Sequence, residues 1–327
     1  MLAPRRVIAN AIVVFFLLGA GPYPRVDAAD GDLRSRVVAE FPTALAKMEA
    51  RFASASGSGR HVIQGGIGTS KPETWENDVV FARVPGRKMM HSKRVSPAPK
   101  PGGRVETVRC WNGTHAFVLT RTQDQPQLLV TYFGTDHSGI DLAFMMNVER
   151  YLMASHSVFE VPFSRIWSHP SFKLLEVKGL QEGGREIIRV AYDYHPSNMI
   201  LRSGWIKVVP EDGWAILEYE SQTNLEGVVV SSVVEYGEKQ GEVAIPKRVF
   251  VKTGSKSADS FDFEELVLGP VPESRFTLAA FGLPELGLPA PPPRNVAPYW
   301  AFGGAAIALL AALILRRYAA RGGMVSG

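Results

Sequence analysis

Cysteine is nearly missing from this sequence. Cys110 stands alone in 327 residues, so no internal disulfide staples the chain and its stability has to come from burial. Set between Arg109 and Trp111 in strand-like sequence, the thiol reads as a small buried apolar group. An excess of one charge is absent too. The 36 Lys and Arg face 32 Asp and Glu, and several basic residues flank the apolar ends. The middle is near neutral and gives no sign of a nucleic-acid partner. One basic cluster, Arg83, Arg87, Lys88, Lys93 and Arg94, reads as a solvated face, with a phospholipid or polyanion contact as the alternative.

Catalytic motifs are lacking as well. The seven histidines (His61, His91, His115, His137, His156, His169 and His195) form no HxH or HExxH spacing, so no zinc site is expected. His137, Asp136 and Ser138 are adjacent and cannot face one another as a triad. No Gly-x-Ser-x-Gly occurs. Gly65–Lys71 has the wrong spacing for a phosphate loop. No cofactor, metal or catalytic residue is expected, and the chain is read as a non-enzyme.

Long apolar runs are confined to the two ends. Arg5-Arg6, the apolar Val7–Ala20, the helix breakers Gly21, Pro22 and Pro24, and the small residues around Ala28 have the three parts of a secretory signal. As a helix the apolar run rises only ~21 Å, short of a bilayer core. Pro298–Leu315 is uncharged and rises ~27 Å, enough to span. Tyr299 and Trp300 border it on one side, and Arg316, Arg317 and Arg321 on the other, which places the arginines in the cytoplasm. The expected organisation is a signal peptide at 1–28, a β-rich domain at 29–269 and a Pro-rich linker at 270–297. A transmembrane helix at 298–315 and a cytoplasmic tail at 316–327 complete it. The domain is then extracytoplasmic, in the periplasm of a bacterial envelope. Processing of the C-terminal helix, as in surface-sorting tails, is the alternative.

Between the ends the hydrophobic period changes once. Leu33, Val37, Phe41, Leu45, Met48 and Phe52 recur at three and four residues and predict a helix over 33–54, ended or kinked at Pro42. The Ser/Gly-rich Ala53–Arg60 predicts a flexible connector. Runs of period two follow at 61–67, 77–84, 87–94, 104–111, 114–121 and 127–133, with a hairpin turn at Asn112-Gly113. A helical insert is predicted at Ile140–Ser155, with Leu142, Met145, Val148, Glu149 and Leu152 on one face. An irregular lid-like crossover over Phe159–Ser171 comes next. Strands return at 172–178, 185–194, 199–209, 214–221, 227–236, 243–252 and 259–268. Short turns at Glu182-Gly183-Gly184 and Asp212-Gly213 argue an antiparallel meander and not βαβ units. After Pro270 the chain is expected to stop folding, although Phe276, Leu278, Phe281 and Leu283 suit a final docked strand.

Aromatic residues fall on the strands throughout. Core packing is one reading. The other is an apolar face beneath the insert that suits an acyl chain, with Trp111, Phe117, Tyr132, Tyr192, Trp205 and Trp214 as candidate lining. The order of helix, meander, helical lid and further meander, with the phrases IRVAYDYHPSNMILRSGWIKVVPEDGWAILEYES and VAIPKRVFV, resembles the incomplete β-barrel of the bacterial lipoprotein carriers LolA and LolB and the related sensor RseB. That resemblance covers residues 33–268 and rests on architecture. It implies a cavity for lipid or lipoprotein acyl chains, with lipid or a lipidated envelope protein as partner. A membrane tether departs from the carriers, which are soluble or lipid-anchored. An envelope hydrolase with an unrecognised site and a structural surface protein stay open as alternatives.

Overall fold

The computed structural model describes residues 30–65, 74–97, 102–197, 200–225, 227–254 and 257–285. The expected signal peptide, transmembrane helix and cytoplasmic tail, and residues 286–297 of the linker, lie outside these residues. Among the described residues no helix is long and apolar enough to cross a membrane. Contacts divide the chain at Phe281, and of the second part only Gly282–Glu285 is described.

The first helix, α1, spans Asp30–Phe52. Asp32 sits in its first turn and Arg51 in its last, each sign matched to the helix dipole. All six residues of the apolar stripe are buried. Of the two outcomes expected at Pro42, an ending is ruled out, because Pro42 lies inside the helix. Proline removes the hydrogen bond to the carbonyl four residues back, here that of Val38, which is exposed, so water is at hand for that carbonyl.

Six strands follow: β1 (Ala55–Gln64), β2 (Thr74–Val84), β3 (Arg87–Ser96), β4 (Arg104–Trp111), β5 (Ala116–Thr122) and β6 (Leu129–Gly134). The insert comprises α2 (Ser138–Phe144), a π-helical turn at Met145–Glu149, α3 (Arg150–Leu152), the short pair β7 (Ser157–Val158) and β8 (Val161–Pro162), and α4 (Phe163–Trp167). The second run of strands is β9 (Lys173–Glu182), β10 (Arg185–Asp193), β11 (Leu201–Val209), β12 (Ala215–Thr223), β13 (Val229–Gln240), β14 (Val243–Thr253) and β15 (Ser257–Leu268). All but β7 and β8 join one 13-stranded sheet in the order β6-β5-β4-β3-β2-β1-β15-β14-β13-β12-β11-β10-β9. Every pairing is antiparallel, as the period-two runs and short turns predict. Two meanders meet where β1 pairs with β15, and the edges β6 and β9 leave the sheet unclosed.

The predicted flexible connector at Ala53–Arg60 is instead part of a central strand. Its glycines answer to sterics and not to mobility. A Cβ on Gly57 would fall on the Glu265 carbonyl and within 3.1 Å of the Phe81 ring, and one on Gly59 would fall on the Asp262 carbonyl. The register with β15 shifts between Ser58 and Gly59, a bulge that brings the two backbones together. Gly57→Ala is therefore expected to cost about 1–3 kcal/mol through overpacking, read as a lower urea midpoint with an unchanged slope.

One face of the sheet, here called inner, packs on the helices. Its core has two halves. Val37, Phe41, Leu45 and Phe163 pack on Val190, Tyr192, Ile206 and Trp214 in one. Phe144, Val148, Tyr151 and Leu152 pack on Phe81, Val249, Val251 and Phe261 in the other. In the insert Leu142 is exposed, and the buried stripe is Ile140, Phe144, Val148 and Leu152. A spacing of four drifts around an ordinary α-helix. The wider π turn holds it on one face.

The chain also keeps folding past Pro270, as two 3₁₀ turns at Glu273–Phe276 and Leu278–Phe281 and not as a strand. These turns cover the outer face of β3–β5. Phe276 and Leu278 are buried, Phe281 meets His91 and Phe117 at ring distances of 6.1 and 6.3 Å, and Arg87 Nη1 reaches Glu273 at 2.7 Å. Cys110 is fully buried beneath them, with its Sγ 3.6 Å from the Phe276 carbonyl.

Candidate functional site

Strand alternation separates the six aromatic candidates. Cys110 pairs across the ladder with Phe117, so Phe117 faces outward beneath the C-terminal turns while Trp111 faces inward. The Trp111 ring lies 4.4 Å from that of His137 at the start of α2. Tyr132 is exposed on edge strand β6, where its hydroxyl donates to the Asp136 carbonyl at 2.9 Å. Trp205 pairs with Ala191 on the outer face, with the Arg189 guanidinium 5.1 Å above its ring. Only Tyr192 and Trp214 enter the core shared with α1. Tyr192 packs 5.3 Å from Phe163. Trp214, held at a positive φ of 67° after the turn, lies 5.7 Å from Phe41. Trp214 also borders a surface cleft of about 420 Å³ lined by Glu40, Lys47, Met48 and Val243. A second cleft, of about 410 Å³, is polar and lies on the outer face between Arg60, Lys247 and Asp262. The six residues thus do not line one cavity. The inner aromatic face is filled by the protein's own helices.

The chemistry on that face is concentrated elsewhere, where the insert meets β1, β12 and β15. Asp259 and Phe261, two apart on β15, and His61, which pairs with Phe261, all point inward. From the insert Arg150 Nη2 donates to Asp259 Oδ2 at 2.8 Å, with both side chains about nine-tenths buried. The Tyr151 hydroxyl and His61 Nε2 are 2.9 Å apart. The Phe159 amide donates to the Tyr219 hydroxyl at 2.7 Å, and Phe159 takes a left-handed φ of 59°, a conformation that costs a non-glycine residue about 1–3 kcal/mol. Nearer the surface Arg83 Nη1 meets Glu149 Oε1 at 3.0 Å. Ser164 donates to Glu49 of α1.

These polar contacts are incomplete. Arg150 Nε, Asp259 Oδ1, His61 Nδ1 and Ser232 Oγ are buried with no hydrogen-bond partner among the described residues. Burial drives the titration accordingly. His61 is pushed down to about 3 by desolvation, helped by the positive charge of Arg150. His156, fully enclosed beside Phe52, is pushed down to about 3 by desolvation and by Arg83. Desolvation raises the Asp259 carboxyl against the pull of Arg150, and raises Glu160 likewise. A buried guanidinium whose carboxylate contact is the single bond to Asp259 Oδ2, with Nε and Asp259 Oδ1 unpaired, is a weak fastening.

Sequence reasoning placed none of these residues in a site. The available signal was parity: Asp259 falls on the inward side of a strand whose neighbours on that side are Phe261 and Phe263, and Arg150 sits beside the apolar stripe of the insert. Among the described residues no group of three or more His, Cys, Asp or Glu is arranged to hold a metal. His91, His137 and His195 each face a single carboxylate, Glu106, Asp141 and Asp193.

No family model matches the sequence, and no curated protein matches it. Several solved structures match the chain, three of them as follows. A putative outer membrane lipoprotein-sorting protein domain from Vibrio parahaemolyticus covers 73% of this chain and 97% of its own, at 8% identity and a TM-score of 0.40. A LolA superfamily protein from Nitrosomonas europaea covers 72% and 96%, at 11% identity and a TM-score of 0.38. A DUF1329 family protein from Desulfovibrio piger covers 73% and 97%, at 8% identity and a TM-score of 0.41.

Proposed function

We propose that the chain is a non-catalytic, membrane-anchored extracytoplasmic module. In this reading it takes an acyl chain of a lipid or lipidated protein on the inner face, in the space the insert occupies. The observation that carries this reading is the way the insert is held. Residues 138–167 cover an apolar surface built of Phe81, Val249, Val251 and Phe261. At its centre the cover is fastened by Arg150–Asp259 and Tyr151–His61. A permanent plug would be more stable if apolar there, because desolvating two charges offsets most of their attraction. A polar fastening with unsatisfied atoms keeps the closed state shallow, so an acyl chain that supplies apolar contact can displace it. Lifting the insert would also release the strained Phe159 backbone.

The test is photolabelling of the full chain in vesicles that contain a phospholipid with a diazirine on its acyl chain, followed by mapping of labelled peptides. Labels on β1, β14, β15 and the insert are expected. Labelling confined to 298–315 would leave the chain a membrane-anchored protein whose inner face takes no lipid.

A further inference from the structure

We propose that one rim of the sheet docks on the surface of an anionic phospholipid bilayer. This inference rests on the outer ends of the strands and is independent of what enters the inner face. Because all sheet neighbours are antiparallel, the end of β1, the start of β2, the end of β3 and so on round the sheet share a rim. That rim runs from the start of β6 to the start of β9.

Exposed large apolar side chains gather there. In the last two residues of the strands at that rim, or in the described turns that join them, the rim shows Trp75, Val95, Leu129, Val130, Ile200 and Leu225 to solvent, with Leu175 exposed one residue further in. By the same measure the opposite rim shows Val267 among the described residues, with Tyr132 exposed one residue further in. Ile200 and Leu225 are the most exposed of the six, at 53% and 58%. They belong to two loop tips tied together where the Asn224 amide donates to the Ile200 carbonyl at 2.7 Å. The sequence thus places its bulky apolar loop residues on one side of the fold, where burial in the domain cannot explain them.

Charge follows the same asymmetry. In that zone Arg104, Arg121, Lys173, Arg202 and Lys252 stand against Asp124 and Asp193, and Asp193 already faces His195 at 2.8 Å. One residue further in stand Arg94, which lies 4.4 Å over the Trp75 ring, and the carboxylates Glu76 and Glu106, the latter paired with Arg121 and His91. At the opposite rim five basic residues are matched by five acidic ones, among them Glu182, Glu211, Asp212 and Glu242. Apolar tips with an amphipathic Trp, set in net positive charge, match a bilayer interface with anionic headgroups. A protein partner would be met by a flat continuous patch. Here the apolar groups are spread along successive loop tips, as suits a fluid surface that each tip enters separately.

The probe is an environment-sensitive NBD label on Leu225→Cys, Leu129→Cys or Val267→Cys, each in the full chain reconstituted into vesicles. Cys110 is fully buried and is not expected to react in the folded protein. The labels at 225 and 129 are expected to brighten and shift to the blue in vesicles containing phosphatidylglycerol, but not in phosphatidylcholine alone. The label at 267 is expected to stay unchanged in both. Adding Lys173→Glu and Lys252→Glu, both surface changes, should abolish the response. Silence at 225 and 129, an equal response in phosphatidylcholine, or an equal response at 267 overturns the proposal.

Discussion

Asp259→Ala is expected to cost about 3–5 kcal/mol, because it leaves the Arg150 guanidinium buried without the carboxylate that accepts its hydrogen bond. For a domain of this size that is a fall in Tm of roughly 6–20 °C. Replacing both partners together, Arg150→Met with Asp259→Leu, should recover most of the loss or exceed the parent, since an apolar pair of similar volume needs no desolvation. The two variants also separate stability from function. If the pair is a fastening meant to open, the apolar double variant holds the insert more tightly, and acyl photolabelling of the inner face falls even as Tm rises. Equal destabilisation by the single and double variants would show that the surrounding packing, and not the uncompensated charge, decides the cost.

Acidification is expected to weaken the fold well before the exposed carboxylates titrate. His61 and His156 are held neutral by burial, each at about 3, whereas an unfolded histidine titrates near ~6.5. Between those values the unfolded chain binds more protons than the folded one, so stability falls as pH drops below the unfolded value. At pH ~5 each histidine then costs about 2 kcal/mol relative to pH ~7.5, and the pair about 4 kcal/mol. The raised carboxyls of Asp259 and Glu160 act with the opposite sign. They favour the folded state as pH falls through their own raised values, which blunts the loss at the acid end. Urea midpoints measured from neutral pH down to pH ~5 check this. His61→Gln and His156→Gln should each remove about half of the slope, and a flat profile in the parent would mean that the two rings are hydrated.

Much of the fold was legible because it depends on period alone. The six-residue stripe of α1 and the run Ile188, Val190, Tyr192, Tyr194 each fixed a face, and all these residues are buried. Tyr192 and Trp214 lie in the core shared with α1, where strand parity and core aromatics coincide. The failures have local causes. Ser and Gly in Ala53–Arg60 signalled a loop, while the true constraint was the close approach of β15 at Gly57 and Gly59. Phe117 and Trp205 were assigned to a single apolar face, but the outer face has covers of its own: the C-terminal turns over Phe117 and the Arg189 guanidinium over Trp205. Leu142 was misplaced because a π turn changes the period partway through the insert. The polar cluster was invisible for a different reason. His61, the pair Arg150-Tyr151 and Asp259 lie far apart in sequence, and only the fall of a charged residue on an inward position hints that the fold joins them.

The central claim is that the insert is a cover that lifts for an acyl chain. The most direct measurement is the distance between spin labels on Leu142→Cys, exposed on the insert, and Val80→Cys, exposed on the sheet, in the full chain with and without phospholipid. A single short distance without lipid, joined by a second and longer population when lipid is present, is the predicted result. One unchanged distance in both conditions, together with an inner face that takes no photolabel, would contradict it.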